Sequence, residues 1–260
     1  MAAAYWRDPW RSELRKVPEP AMHPQWLRRH HLLWTSPVWR AAAIEQIVDS
    51  TVHVQVAAHL AAGWPLVVCR QSSACNKDCP AAYSVSAGLP LPPDLGKRRL
   101  ALTVPASVIV RVAPPLDLKT AISRLPPDWQ PPLRRLLHSA NDANVELRVY
   151  GSVAWHALTR RPWLTARSDV DFLWRARDSA QIAAGVKLLY EWERQSGRRA
   201  DGEILLGDDD AIAWREWAPA DGRRPSRRII VKSLYGPRLC ARGDLEARLA
   251  LGSKAVAACA

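Results

Sequence analysis

The chain has no stretch approaching the ~18–20 consecutive apolar residues that a membrane-spanning helix needs. Met1 to Trp10 also lacks the unbroken apolar core of an export signal. These two absences leave the cytoplasm as the expected compartment, with no membrane association. Cysteine is scarce as well: five residues, an odd count, fit a reducing compartment better than a disulfide framework. Cys75 and Cys79 stand near Cys69, but no second pair or nearby histidine completes four ligands, so a zinc site is not expected. Internal repeats and low-complexity tracts are absent. Acidic residues are outnumbered, 25 to 37 Lys and Arg, for a formal net charge of +12, which implies an acidic partner or a polyphosphate substrate. The basic residues are scattered, without a long Lys/Arg run or aromatic–basic interleaving, so nucleic acid is not the expected partner and part of the excess is solvated arginine.

What is present can build a sizeable core: 48% of 260 residues are hydrophobic, enough for one large or two small domains. Thirteen Trp are offset by one Phe and five Tyr, so total aromatics are an ordinary 7% and most Trp are core or domain-contact residues. The segment Leu125 to Pro132 is too proline-rich for a regular element, and a helical pattern begins at Leu133. A boundary near residue 126 follows, with domains 1–125 and 126–260. In the first, Trp39 to Ala62 reads largely as helix. Pro65 to Cys69, Ala101 to Val104 and Val108 to Val112 read as strands, with an irregular stretch through Pro90 to Pro93. In the second, Asp178 caps a helix with apolar positions Ile182, Val186, Leu189 and Trp192, closing near Gly197. Ala200 to Leu206 and Ala211 to Trp217 form a hairpin around Gly207 to Asp210, Ile229 to Ser233 is a final strand, and Asp244 to Leu251 a terminal helix. The expected fold class is α+β.

Chemistry is concentrated in the second part. Val145 to Val149 alternates as a half-buried strand; Gly151 and Ser152 follow, then a short helix from Val153 to Leu158. Gly151 permits a tight turn with close backbone approach, while the Ser152 hydroxyl, nearby amides and the helix dipole suit phosphate oxygens. Ser168-Asp-Val-Asp-Phe-Leu-Trp174 then reads as a strand, so Asp169 and Asp171 share one face roughly 7 Å apart at Cα while Val170 and Phe172 face a core. Two such carboxylates can bracket a pair of Mg²⁺ ions that stabilise both oxygens of an in-line phosphoryl displacement. A phosphate cradle facing a metal site is the layout of a nucleotidyltransferase.

The Gly-Ser and Asp-x-Asp arrangement resembles the DNA polymerase beta-like nucleotidyltransferases. More narrowly, Val149-Tyr-Gly-Ser-Val-Ala-Trp155 with Ser168 to Trp174 looks like the malonate decarboxylase holo-acyl-carrier-protein synthases, also called phosphoribosyl-dephospho-CoA transferases. Further similar blocks are Arg29 to Trp34, Trp64 to Arg70, Val85 to Leu91 with Gly96 to Arg99, Ala200 to Ile204, Ala213 to Glu216 and Val231 to Ser233. The resemblance thus spans nearly the whole chain. Two departures are visible. His31 stands where that family usually has Asp, and the interval from Ser152 to Asp169 is long, with Arg160 to Trp163 read as a loop near the site mouth.

The resemblance implies a small N-terminal α+β domain for substrate or partner binding, followed by a polymerase beta-like domain with a mixed sheet and flanking helices. It further implies transfer of the 2′-(5″-phosphoribosyl)-3′-dephospho-CoA group from its 5″-triphosphate precursor to a serine of the apo acyl carrier subunit of malonate decarboxylase, releasing pyrophosphate. Two Mg²⁺, or Mn²⁺, would be held by Asp169, Asp171 and a third carboxylate. Asp201 and Glu203 share a strand face, and Asp201 is taken ahead of Glu203. Lys232, on a strand expected in the same sheet, suits the departing pyrophosphate, and Arg167 precedes the metal strand. Arg70, Lys97 and Arg98 come from the first domain, so their phosphate-binding role requires that domain to close over the substrate. His156 reads as a packed histidine, and Asp208 to Asp210 as solvated turn residues. A related enzyme using ATP or another nucleotide on a small molecule, RNA or protein, and a non-catalytic module of the same fold, are the competing readings.

Overall fold

The computed structural model describes residues 15–16, 27–72, 83–207, 210–218 and 228–257, the first two and those after 250 as backbone only. The chain divides into two compact units, Met1–Pro90 with Arg99–Pro114, and Leu91–Arg98 with Pro115–Ala260. Among the described residues no helix is long and apolar enough to cross a membrane.

The first unit runs β1 (Arg15–Lys16), β2 (Leu32–Thr35), α1 (Arg40–Glu45), α2 (His53–Ala61), β3 (Leu66–Val68), β4 (Ser84–Pro90), β5 (Arg99–Pro105) and β6 (Ile109–Ala113). Its strands form one antiparallel sheet in the order β1-β6-β2-β3-β4-β5. Leu33, Val56, Val85, Leu89 and Val104 are fully buried. Two expectations need correction. The stretch entering Pro90 is not irregular: β4 extends through Pro90, whose missing N–H is tolerated at the strand's end. The helical span Trp39 to Ala62 is broken into α1 and α2, because Asp49 accepts the Thr51 N–H at 3.1 Å and starts a separate 3₁₀ turn. Cys75 and Cys79 lie outside the described residues.

The second unit comprises β7 (Leu116–Asp117), α3 (Leu118–Ile122), α4 (Gln130–Asp142), β8 (Arg148–Tyr150), α5 (Gly151–Thr159), β9 (Val170–Ala176), α6 (Ser179–Ser196), β10 (Ala200–Leu206), β11 (Asp210–Ala213), α7 (Trp214–Trp217), β12 (Arg228–Lys232), β13 (Pro237–Ala241) and α8 (Arg242–Ala257). The strands align as β13-β12-β11-β10-β9-β8-β7, antiparallel except for the central β9–β10 pair. That parallel pair requires a crossover, which α6 supplies. As expected, Asp178 caps α6 by accepting the Gln181 N–H at 2.7 Å, and Gly197 ends it in the left-handed conformation. The helix packs on the sheet through Ile182, Val186, Leu189 and Trp192. Trp192 meets Phe172 edge-on at 5.6 Å, and Trp174 lies over Gly185, where a Cβ would come within 3.0 Å of the indole nitrogen.

The units part at Pro115, ahead of the position near 126 that composition suggests, because β7 already belongs to the second sheet. Nor is the proline-rich segment wholly irregular: α4 begins at Gln130, with prolines in its first turn where no N–H is needed. Residues Trp214 to Trp217 form α7, not the end of a strand, since a helical turn buries both Trp214 and Trp217. Asp210 is not a solvated turn residue. It opens β11, is 7% exposed, and its carboxylate is bound by Arg238 and Arg248. Asp208 and Asp209 fall outside the described residues. Strand β13 has no counterpart in the sequence reading.

Candidate active site

The site grows from the turn at the end of β8. Tyr150 pairs with Asp171 across the sheet, then Gly151 takes φ +63° and α5 starts at once, earlier than the Val153 expected. A Cβ at Gly151 would lie 1.9 Å from Asp171 Oδ2, so the close approach that this glycine permits is to a carboxylate of the site itself. Ser152, one residue into the helix, is 6% exposed.

Asp169 precedes β9 instead of lying within it. A tight turn presents it: the Ser168 N–H donates to the Thr165 carbonyl, and the Ser168 hydroxyl accepts the Thr165 N–H, each at 3.0 Å. Asp171 and Asp201 are register partners on the parallel strands β9 and β10. Strand pairing thereby joins residues thirty positions apart, and carboxylate oxygens of Asp169, Asp171 and Asp201 all lie within 4.8 Å of one another. Asp201 Oδ1 accepts the Gly202 N–H at 2.7 Å, which orients that carboxylate. Gly202 cannot be replaced without collision, since its φ is +129° and a Cβ would meet the Phe172 carbonyl oxygen at 1.9 Å.

Three carboxylates this close cannot all ionise freely. Burial, then the charges of Asp169 and Asp201, push the Asp171 carboxyl up to about 7; Lys97 works against the shift and Glu203 adds to it. The donor set is all hard oxygen, half-buried and short of positive charge, which fits Mg²⁺ or Mn²⁺ better than a softer metal.

Of the two candidates for third carboxylate, the structure brings Asp201 into the cluster and engages Glu203 elsewhere. Glu203, with its side chain 4% exposed, accepts a hydrogen bond from Lys232 Nζ at 2.8 Å. Lys97 is exposed on the Leu91–Arg98 segment that belongs to this second unit, so its proximity to Asp171 needs no domain closure. Arg98 and Arg167 are exposed in the same unit, and Arg70 is exposed in the first. The His156 Nδ1 is buried with no hydrogen-bond partner, and burial, followed by Arg160, lowers its pKa, as suits a packed histidine. Trp163 does not line a loose loop: it packs on Trp155 at 5.8 Å and donates to Thr159 Oγ1 at 2.9 Å. Sequence reasoning missed Glu193 and Arg215, which bind the main chain of Ala200 beside Asp201. No local signal in the sequence marks either residue for this role.

A mixed sheet that sets a Gly-Ser helix start against carboxylates from two adjacent strands defines a transferase of the nucleotidyltransferase class. Residues 28–115 match the model of the phosphoribosyl-dephospho-CoA transferase MdcG N-terminal domain, and residues 117–243 that of the MdcG C-terminal domain. The chain is 40% identical over 217 residues to a phosphoribosyl-dephospho-CoA transferase of Xanthomonas campestris pv. campestris (strain 8004), covering 84% of this chain and 95% of that one. It is 39% identical over the same spans to one of Xanthomonas euvesicatoria pv. vesicatoria, and 37% identical over 190 residues to one of Bradyrhizobium diazoefficiens, covering 72% and 80%. No solved structure matches the chain. The protein belongs to the phosphoribosyl-dephospho-CoA transferase family.

Proposed function

We propose that this enzyme transfers the 2′-(5″-phosphoribosyl)-3′-dephospho-CoA group from its 5″-triphosphate to a serine of the apo acyl carrier subunit of malonate decarboxylase. The serine Oγ–phosphorus bond forms as the bond to pyrophosphate breaks, and the serine proton leaves to a carboxylate of the site. The observation that carries the reading is the meeting of Asp169, Asp171 and Asp201 beside the Gly151 turn, in a chain whose relatives bear the transferase name over most of their length. Two Mg²⁺ ions held by this trio would neutralise the triphosphate and stabilise the attacking and leaving oxygens.

The protein's own groups divide the remaining work. The Gly151 turn and Ser152, at the start of α5, offer amides and a hydroxyl to the outer phosphates. Lys232, aimed by Glu203, supplies a point charge to the departing pyrophosphate, and Lys97 supplies a second from the opposite half of the chain. Arg167 and Arg70 are assigned to the substrate's phosphates, Arg70 on condition that the first domain closes over the substrate. Catalysis is then mainly positioning and charge neutralisation. The net charge of +12 suits both an anionic substrate and an acidic carrier, and a cytoplasmic setting is part of the same reading.

Mass spectrometry of purified apo carrier subunit, incubated with the enzyme, Mg²⁺ and the triphosphate precursor, tests it. The expected outcome is a mass gain equal to the transferred group, absent with Asp169→Ala. No gain, with ATP or another nucleotide consumed instead, would retain the chemistry and overturn the substrate.

A further inference from the structure

We propose that Glu193 and Arg215 are positioning residues for Asp201, completing with side chains a ladder that β11 abandons. The proposal rests on the reading of the acidic trio as a metal site. Val170 donates its N–H to the Arg199 carbonyl at 2.9 Å, so by the alternation of main-chain groups along a strand Ala200 turns its own N–H and C=O away from β9. They point to the side where β11 should be. The β10–β11 register pairs Glu203 with Ala213; three residues further along each strand, Ala200 would face Glu216. But β11 ends at Ala213 and the chain winds into α7.

Ala200 is fully buried, so two orphaned main-chain groups there would be costly. Glu193, in the last turn of α6, accepts the Ala200 N–H at 2.7 Å, and Arg215 Nη2 donates to the Ala200 carbonyl at 2.8 Å. The same Arg215 nitrogen also binds the Glu193 carboxylate. Arg215 is braced 4.2 Å from the Trp214 ring, which restricts its rotamers. The next outward-facing amide, that of Gly202, is taken by Asp201 itself. On the edge that faces away from β9, the main chain on both sides of Asp201 is therefore held by side chains and not by β11. The clamp sets the direction from which the Asp201 carboxylate joins Asp169 and Asp171.

Mn²⁺ titration of the full-length protein, followed by the loss of the free-ion resonance signal, reads this without recourse to turnover. Glu193→Ala and Arg215→Met are expected to bind Mn²⁺ about 10–100-fold more weakly than wild type, the range typical of groups that orient metal ligands. Glu193→Gln, which keeps an acceptor for Ala200, should recover most of the affinity, and amide exchange over residues 199–206 should rise in step with the loss. In the carrier-loading assay kcat falls while KM for the carrier is unchanged. Folded variants that bind Mn²⁺ as wild type does would overturn the proposal, however far their melting temperature drops. If the two severe variants do not fold, Arg215→Gln decides: it removes the charge and is too short to reach both Ala200 and Glu193, and wild-type affinity there has the same meaning. Asp201→Asn separates the two ideas. Wild-type protein with no Mn²⁺ binding that Asp201→Asn removes sinks the metal reading and the clamp with it, whereas intact wild-type binding beside insensitive clamp variants sinks the clamp alone.

Discussion

Both units of the molecule lose a strand pairing early and close the gap with a side chain, but the first uses a neutral amide and the second an ion pair. In the first, regular β3–β4 pairing stops after Val68 and Ala87. The buried Gln71 amide then donates to Cys69 O at 2.8 Å and Ser86 O at 2.9 Å, while accepting Ser86 N–H at 2.8 Å. In the second, Glu193 and Arg215 do the same for Ala200. The contrast extends to the cores: among the described residues the buried polar side chains of the first unit are His59 and Gln71, whereas the second buries, besides Ser152, Thr159 and Ser168, the charged Glu203, Asp210 and Arg242. Burying charge costs more than burying an amide, even when the charge is paired. Buried charge in the unit that carries the acidic trio marks where the position of charge matters, and the neutral repair in the first unit serves its fold.

A pair of glycines gives the sharpest version of that contrast. Gly63 in the first unit and Gly151 in the second have φ +69° and +63°, yet a Cβ at Gly63 meets nothing within 4 Å while one at Gly151 would strike Asp171 Oδ2. Each alanine substitution should cost about 1–2 kcal/mol of stability through the left-handed backbone. Gly151→Ala should in addition lower transferase activity at least about 10²-fold, because the carboxylate must move by more than an ångström. Gly63→Ala should leave activity of the folded protein unchanged. Melting curves and carrier-loading rates on the two variants check it; equal loss of activity in both would erase the distinction between the units.

The next effect is smaller and belongs to the second unit alone. Asp171 has a folded pKa of about 7 against an ordinary 3.8, so between those values the folded state binds the extra proton. Stability of the metal-free protein is then greater at the acid end of this window and falls as pH rises through it. Asp171→Asn removes that slope, which thermal melts at pH 5 and pH 8 in chelator would show as a near-constant melting temperature against a falling one for wild type. With metal present the direction reverses, since cation and proton compete: divalent affinity should weaken by up to about tenfold per pH unit below about 7. A wild-type melting temperature that rises with pH in chelator would contradict the crowding of the three carboxylates.

The parts of this arrangement that were legible in sequence are those held by local spacing. Asp169 and Asp171 two residues apart, Gly151-Ser152 at a strand-to-helix turn, and the Asp178 cap are all local features, and the structure keeps them with two shifts: Asp169 falls just ahead of β9, and Gly151 and Ser152 open α5 instead of preceding it. The choice of Asp201 over Glu203 had equal support from strand alternation. The β9–β10 register places Asp201 opposite Asp171 while Lys232 reaches Glu203, and both contacts are long-range. Trp214 to Trp217 continued an alternating pattern and read as strand, because four residues cannot distinguish period 2 from a single helical turn that buries positions i and i+3. Strands β4 and β13 were hidden by Pro90 and Pro237, which sit at strand ends where the absent N–H does no harm. The Glu193–Arg215 clamp was invisible, since nothing local signals that a strand will leave its partner.

Gln71→Ala gives the smallest effect on function and the test most able to break the comparison. Cys69 N–H still donates to Ser86 O at 3.0 Å, so the truncation orphans two groups, Ser86 N–H and Cys69 C=O. At about 1–3 kcal/mol for each buried unsatisfied group, reduced where water can enter, a loss of about 2–4 kcal/mol is expected. Urea unfolding should register it as a lower midpoint. Mn²⁺ affinity at the acidic trio should be unchanged in the folded protein, because a neutral repair in the first sheet fixes no ligand. Glu193→Ala, which removes a repair of the same geometric kind, should weaken that affinity. If Gln71→Ala lowers it as well, the charge of the clamp is irrelevant and ladder repair of either kind acts on the site through stability alone.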